Sequence, residues 1–171
     1  NGNVVATEAG HLNIPSSVPS LSPIQKKFEK DNDRMATFED FLSGKGIGYI
    51  YSYLSSSQKK PYKNEEIINN LKDPFCLKTK SMFSHLLSIY LRNMALIWGA
   101  LSGVYISGSM ANSLMKHIDH KDFRNIFEDS NSMKDYLKNT PLFLIQDTNL
   151  GLRGGLKLAS NSKKNIKWKN F

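Results

Sequence analysis

The segment from residue 74 to residue 101 constrains the fold more than any other part of the sequence. Its apolar residues recur at intervals of three and four, at Met82, Phe83, Leu86, Leu87, Tyr90, Leu91, Met94, Ala95, Trp98 and Leu101. This period predicts one long, central and largely buried helix, with the stripe through Met82 and Trp98 in the core. We expect Gly103 to end the helix. Because more than one face is apolar, either neighbouring helices or a partner chain could cover it.

Two short apolar runs predict buried strands. Residues 104–106 follow Gly103, and residues 142–145 follow Pro141. Helical patterns separate the two runs, so we predict an α/β fold with parallel pairing. Shorter helices are predicted from about Ser22, at Phe38–Leu42, Ile47–Leu54, Asn64–Leu71, Ala111–His117, Asp122–Phe127, Ser132–Lys138 and Leu150–Leu158. The two glycines of residues 43–46 predict a break between two of these helices.

The positive charge of the chain is concentrated near its end. The net charge is +8, and residues 149–171 contain six basic residues and no acidic one. The rest of the chain holds 17 basic against 15 acidic residues. This distribution predicts a domain over residues 1–160 followed by a solvated basic tail, 161–171, and it disfavours a nucleic-acid-binding face.

Polar residues within the most apolar stretch and the number of cysteines indicate the cellular location of the protein. Ser84, His85, Arg92 and Asn93 interrupt the most apolar stretch, which argues against a membrane span. The one cysteine, Cys76, rules out an internal disulfide and a zinc site built from several cysteines. We therefore predict no membrane association and a reducing, cytoplasmic location.

Three places in the sequence carry residues that could take part in ligand binding or catalysis. Glu8 and His11 lie on one predicted tight turn, where a carboxylate and an imidazole could bind adjacent hydroxyl groups, although such pairs are more often surface residues. Glu39 opens a helix just before the glycine-containing residues 43–46. Residues 107–109, Ser-Gly-Ser, follow a predicted strand and precede a helix, which suits either a nucleotide contact or a plain tight turn.

One further cluster could be drawn as a metal site. His117 and His120 lie three residues apart, with Asp119 and Asp122 beside them. Lys121 stands among these side chains, and a positive charge there disfavours a bound cation. We interpret the cluster as a solvated helix end.

Taken in order, several motifs resemble the bacterial glucokinase family over residues 1 to about 160. They are Glu8-Ala9-Gly10-His11, Glu39 ahead of Leu42-Ser43-Gly44-Lys45-Gly46, Gly103 to Ser109, Pro141 to Ile145, and Asn149 to Gly155. The resemblance implies a helix-rich α/β large domain of the ribonuclease-H-like (actin-like ATPase) fold. It also implies a cytoplasmic homodimer that uses ATP and Mg²⁺ to convert glucose to glucose 6-phosphate. The lone cysteine favours the branch of related kinases without a zinc motif.

The resemblance also implies roles for particular residues. Glu8, His11 and Glu39 match positions that hydrogen-bond the hydroxyls of glucose. Gly108 and Ser109 match the turn that binds adenosine. The expected site therefore combines a sugar-binding set and a nucleotide turn, without a metal ligand.

The sequence departs from the family pattern at three of these positions. Ala9 replaces a usual glycine and is tolerable only with a negative φ. Lys45 stands where proline is common, and Ser109 replaces the second glycine of the adenosine turn. Gly151 and Gly154 are expected to be packing glycines of the last helix.

The family's two phosphate loops and its catalytic aspartate have no counterpart in these 171 residues. In the family they lie upstream of the point where this sequence starts. Phosphoryl transfer needs groups that position the phosphates and a base for the attacking hydroxyl. We therefore expect the chain alone to be inactive, as the C-terminal portion of a longer kinase. The alternatives are a non-catalytic sugar- or partner-binding module and, less favoured, a nucleic-acid-binding protein.

Overall fold

The computed structural model describes residues 7–15, 18, 21–56, 62–147 and 149–161. The elements are a 3-10 helix (Ala9–His11), α1 (Ser22–Asn32), α2 (Phe38–Phe41), α3 (Gly44–Leu54), α4 (Asn64–Asn69), α5 (Pro74–Trp98), β1 (Val104–Ile106), α6 (Ser109–Met115), α7 (His120–Glu128), α8 (Lys134–Lys138), β2 (Leu142–Leu144) and α9 (Leu150–Asn161). Apart from Asn161, the predicted basic tail lies outside the described residues.

The predicted long helix is present as α5, which has 25 residues. Pro74 occupies its first turn, where a missing N–H costs nothing, and the carboxylate of Asp73 accepts the Phe75 N–H at 2.8 Å. The helix ends at Trp98 because Gly99 takes a left-handed conformation with a φ of 61°. The prediction that Gly103 ends the helix is therefore wrong, because the helix ends about one turn earlier.

Helix α5 contributes to two adjacent apolar clusters. Its first half packs with α1 to α4, where Phe41, Ile47 and Leu86 are fully buried. Its second half packs with α7, α8 and the strands, around Phe127. The prediction of a central helix is confirmed for most of its length, but Trp98 is 53% exposed and does not belong to the core.

The two strands pair in parallel, as predicted, with Tyr105 opposite Phe143. The neighbouring side chains of both strands, such as Ile106, pack into the second cluster. Tyr105 and Phe143 point the other way, are 63% and 41% exposed, and stack at a ring distance of 4.9 Å. Parallel sheets are normally covered on both faces. Within the described residues, this face of the sheet is left open.

The predicted break between α2 and α3 is present, but it lies at residues 42–43, and the glycines themselves belong to α3. Helix α3 begins at Gly44, and the Ser43 hydroxyl accepts the Gly46 N–H at 3.1 Å as an N-cap. A Cβ placed on Gly46 would lie 2.3 Å from the carbonyl oxygen of Phe41. Glycine at position 46 therefore permits close contact between α3 and the end of α2.

Candidate functional site

A short antiparallel bridge brings two distant parts of the sequence together. Ile14 donates its N–H to the Ala36 carbonyl at 2.9 Å, and Phe38 donates to the Leu12 carbonyl at 3.0 Å. These bonds flank the isolated bridge between residues 13 and 37. As a result, the 3-10 helix lies beside the first turn of α2.

The three side chains predicted to bind the sugar meet at this junction. The Nε2 atom of His11 lies 3.2 Å from a carboxylate oxygen of Glu39 and 3.9 Å from one of Glu8. The side chain of His11 is 63% exposed, that of Glu39 is 59% exposed and that of Glu8 is 90% exposed. An imidazole between two carboxylates offers both a donor and acceptors, which suits a ligand with adjacent hydroxyls.

The turn between Glu8 and His11 is a 3-10 helix without a left-handed residue. Gly10 has no left-handed φ, so the turn does not depend on the conformational freedom of glycine. A Cβ on Gly10 would lie 3.6 Å from a carboxylate oxygen of Glu39. The φ of Ala9 is not positive either, which satisfies the condition for an alanine at that position.

The junction opens into a cleft of about 680 Å³. Its walls are formed by His11, Phe28, Asn32, Arg34, Thr37, Glu39, Asp40, Ser43, Lys45 and Tyr49. Thus His11 and Glu39 line one concave surface, whereas Glu8 is not among the lining residues and approaches the cleft only through His11. The cleft combines charged groups with aromatic rings, a common composition for a small-molecule site.

The cleft is also lined by a charged pair that the sequence patterns did not predict, Arg34 and Asp40. Arg34 donates from both terminal nitrogens to the two carboxylate oxygens of Asp40, at 2.7 and 2.6 Å. Asp40 also accepts the N–H and the hydroxyl of Thr37, both at 2.8 Å. The sequence contains one signal for the capping role of Asp40. Residues 37–40 have the Thr-x-x-Asp spacing that is typical of a helix N-terminus, where the third helical residue accepts from the cap residue.

Asp40 is held strongly in its charged form. The Arg34 guanidinium, assisted by the Thr37 hydrogen bonds and opposed by partial burial, lowers the pKa of Asp40 from 3.8 to about 2. A carboxyl group with a lowered pKa stabilises the fold above its unfolded pKa, and this stabilisation is lost as the pH falls through the folded value.

We expect Asp40→Asn to lower the free energy of unfolding by on the order of 1 kcal/mol at pH 7, because solvent screens the half-exposed partner. The difference from the wild-type chain should shrink between pH 4 and pH 2. Urea titrations at several pH values measure it. A difference that stayed constant down to pH 2 would show that the lost ion pair is not its cause.

The predicted nucleotide turn lies elsewhere on the molecule. Gly108 precedes α6 with a φ of 118° and a ψ of 151°, a conformation that favours glycine. A Cβ there would have no described atom within 4 Å, and Ser109 begins the helix. The side chain of the next residue, Met110, lies 3.7 Å from a Cβ placed on Gly44, so the turn adjoins the start of α3, where Lys45 lines the cleft.

The remaining predictions concern a possible metal site and two glycines of α9. Among residues 7–161 that the structure describes, no group of three or more His, Cys, Asp or Glu side chains could hold a metal ion. Asp119 is the N-cap of α7 and accepts the N–H groups of Lys121 and Asp122. A Cβ placed on Gly151 or Gly154 would meet no described neighbour within 4 Å, so among the described residues neither glycine has the predicted packing role.

Among the described helices, none is both long and apolar enough to cross a bilayer. Polar residues interrupt even the 25-residue α5.

Solved structures define the class of fold. The chain superposes on a glucokinase from an Antarctic psychrotroph with a TM-score of 0.75 and 22% identity, covering 94% of this chain and 51% of that one. It matches a Balamuthia mandrillaris glucokinase, solved with glucose, with a TM-score of 0.75 and 19% identity, covering 93% and 48%. The fold is therefore a helix-rich α/β portion of the ribonuclease-H-like, actin-like ATPase fold, as predicted.

Sequence comparison then identifies the family. The family described as Glucokinase matches residues 1–162, so the chain belongs to the glucokinase family. It is 27% identical to the Neisseria gonorrhoeae glucokinase over 168 residues, which is 95% of this chain and 51% of the relative. It is also 27% identical to the Hahella chejuensis glucokinase, covering 93% and 51%. The chain spans about half the length of these curated relatives.

Proposed function

We propose that this chain is the glucose-binding part of a protein that transfers phosphate from ATP to glucose, yielding glucose 6-phosphate. The observation that carries the proposal is the imidazole of His11, which lies 3.2 Å from Glu39 and 3.9 Å from Glu8 at one cleft. Family membership supports the reaction class. In this proposal, residues 1–160 form the domain and residues 161–171 a basic tail.

The three side chains suit the hydroxyl-rich surface of a hexose. Glu8 and Glu39 would accept hydrogen bonds from sugar hydroxyls, and His11 would donate or accept according to its tautomer. A site built to bond hydroxyl groups rejects analogues that lack them, because its own polar groups would then lose their partners. The set therefore accounts for selection of a sugar by its hydroxyl pattern.

The nucleotide belongs to a second part of the proposal. Gly108 and Ser109 would approach the adenosine of ATP, since the space over the Gly108 backbone is open among the described residues. Mg²⁺ would neutralise charge on the phosphates when bound with ATP. The described residues offer no ligand cluster for it, so we assign no residue of this chain to the metal.

Uncovered apolar surface supports the proposal that this chain needs further residues for activity. Tyr105 and Phe143 leave one face of a parallel sheet open. Leu152 and Leu156, both in α9, are each 71% exposed. In a protein about twice as long, as the curated relatives are, additional strands and helices would cover these surfaces and supply the phosphate loops and the catalytic base. A cytoplasmic homodimer is part of the same proposal.

A coupled assay of glucose phosphorylation tests the proposal, with the full-length gene product and the 171-residue chain measured in parallel. We expect activity only from the full-length protein, and roughly a 10-fold loss of kcat/KM for glucose on Glu8→Gln, because a neutral amide is a weaker acceptor. Glu65→Gln, which changes an exposed acid at the start of α4, is the matched control.

The outcomes separate the two function classes. Loss confined to Glu8→Gln supports the kinase and its sugar site. A full-length protein that binds glucose but does not phosphorylate it would favour the non-catalytic binding module instead. Absence of glucose binding by both proteins would contradict the proposal.

A further inference from the structure

We infer that the Arg34–Asp40 ion pair positions Glu39 and thereby sets the affinity of the cleft for its sugar. This inference rests on the proposed function, since it assigns a role within the same site. Arg34 and Asp40 line the cleft together with Glu39 and His11. The closest atoms of Arg34 and Asp40 are 2.6 Å apart.

The helix that carries Glu39 needs support from outside itself. Helix α2 has only four residues, Phe38–Phe41, and a single helical turn is unstable in isolation. The rings of Phe38 and Phe41 are 2% and 0% exposed and anchor its inner side. Glu39 lies on the outer side, where its one described ion-pair contact is His11. The direction of its carboxylate therefore depends on how the turn is held.

Asp40 ties this turn to the residues that precede it. One carboxylate oxygen accepts the N–H and the hydroxyl of Thr37, the residue before the turn. Both oxygens also accept from Arg34, which lies outside the helix. Asp40 directly follows Glu39 in the sequence. A shift of the Asp40 backbone would therefore move the Glu39 carboxylate away from the imidazole of His11.

Arg34 is itself fixed in place. Its guanidinium lies 5.1 Å from the centre of the Phe28 ring, and it also donates to the Met35 carbonyl at 3.2 Å. A planar fork that stacks on a ring and bonds a carboxylate at two points has a defined orientation. Lysine could preserve the charge at this position but not the paired hydrogen bonds. These contacts make Arg34 a positioning residue that acts through Asp40 and Glu39.

The first test measures glucose binding to the full-length protein by isothermal titration calorimetry. We expect Arg34→Met to raise the Kd roughly 10-fold and Arg34→Lys roughly 3-fold, since a mispositioned acceptor loses much of a charge-assisted bond. The double variant Arg34→Met/Asp40→Asn should bind about as weakly as Arg34→Met alone, because both changes break the same contact. Asp31→Asn is the matched control, since it breaks the Lys27–Asp31 pair of α1 at 2.8 Å without touching α2.

A second measurement excludes a merely structural effect. In the full-length protein, Arg34→Met should raise the KM for glucose while the KM for ATP and kcat stay within about twofold. Without sugar, Arg34→Met should also shift the NMR signals of the His11 ring, whereas Asp31→Asn should not. Thermal unfolding confirms that each variant is folded.

The possible failures are distinguishable. If the wild-type chain and the full-length protein do not bind glucose, the proposed function fails and the inference fails with it. If the wild type binds glucose and Arg34→Met binds equally well, with unchanged His11 signals, only the inference is overturned. Equal losses in the glucose and ATP parameters would also overturn it, because they would indicate a general structural defect.

Discussion

Replacing His11 with alanine should weaken glucose binding roughly 100-fold, a loss of about 3 kcal/mol. The imidazole is the central member of the proposed sugar-binding set, with Glu39 at 3.2 Å and Glu8 at 3.9 Å. Its removal takes away a proposed ligand contact and leaves two carboxylates without the group between them. Calorimetric titration of the full-length protein with glucose measures the change.

The control is another histidine of the same chain. His120 is exposed at the first position of α7 and does not line the cleft. His120→Ala should therefore bind glucose as the wild type does. If His11→Ala bound glucose with wild-type affinity, the cleft would not be the sugar site. If both variants lost affinity equally, the effect would not be specific to the cleft.

Local patterns in the sequence predicted the elements of the fold but not every boundary. The apolar period of α5 reflects burial against neighbouring helices, and this signal is strong over 25 residues. The same period placed Trp98 in the core, although it is 53% exposed. Periodicity reports which side of a helix is apolar, and it carries no information about whether another element covers that side.

The candidate site was predictable only through the order of its motifs. Nothing in the local sequence of Glu8 or His11 indicates that Glu39 lies beside them, because the contact depends on a backbone bridge between distant segments. The resemblance to a family supplied that juxtaposition. Arg34 escaped prediction because it lies in the loop between α1 and α2, six residues from Asp40, and the local pattern around Asp40 indicates only a short helical turn.

The glycines of α3 show how propensity and packing can conflict. Glycine disfavours the interior of a helix, and this preference predicted a break before Ile47. In the structure the helix runs through Gly46 and Gly48. Close approach of the Phe41 carbonyl requires the absence of a side chain at Gly46. A sequence alone cannot distinguish a glycine that ends a helix from one that allows another backbone to approach it.

This distinction leads to the prediction with the largest expected effect on stability. Gly46→Ala should lower the free energy of unfolding by about 3 kcal/mol or more, because a Cβ would lie 2.3 Å from the Phe41 carbonyl oxygen and 2.4 Å from its carbon. Backbone atoms on both sides would have to move, since no flexible side chain can yield. Thermal unfolding should show a decrease of roughly 6–12 °C in Tm for a chain of this size.

Gly48→Ala is the matched control, two residues further along the same helix. A Cβ on Gly48 would meet only the Asn64 side-chain oxygen, at an ordinary contact distance of 3.7 Å. Alanine there should raise the free energy of unfolding by up to about 1 kcal/mol, because it restricts the unfolded chain and favours the helix. Opposite signs for the two substitutions would establish that close packing against α2, and not flexibility, requires glycine at position 46. Equal small effects at both positions would contradict that packing.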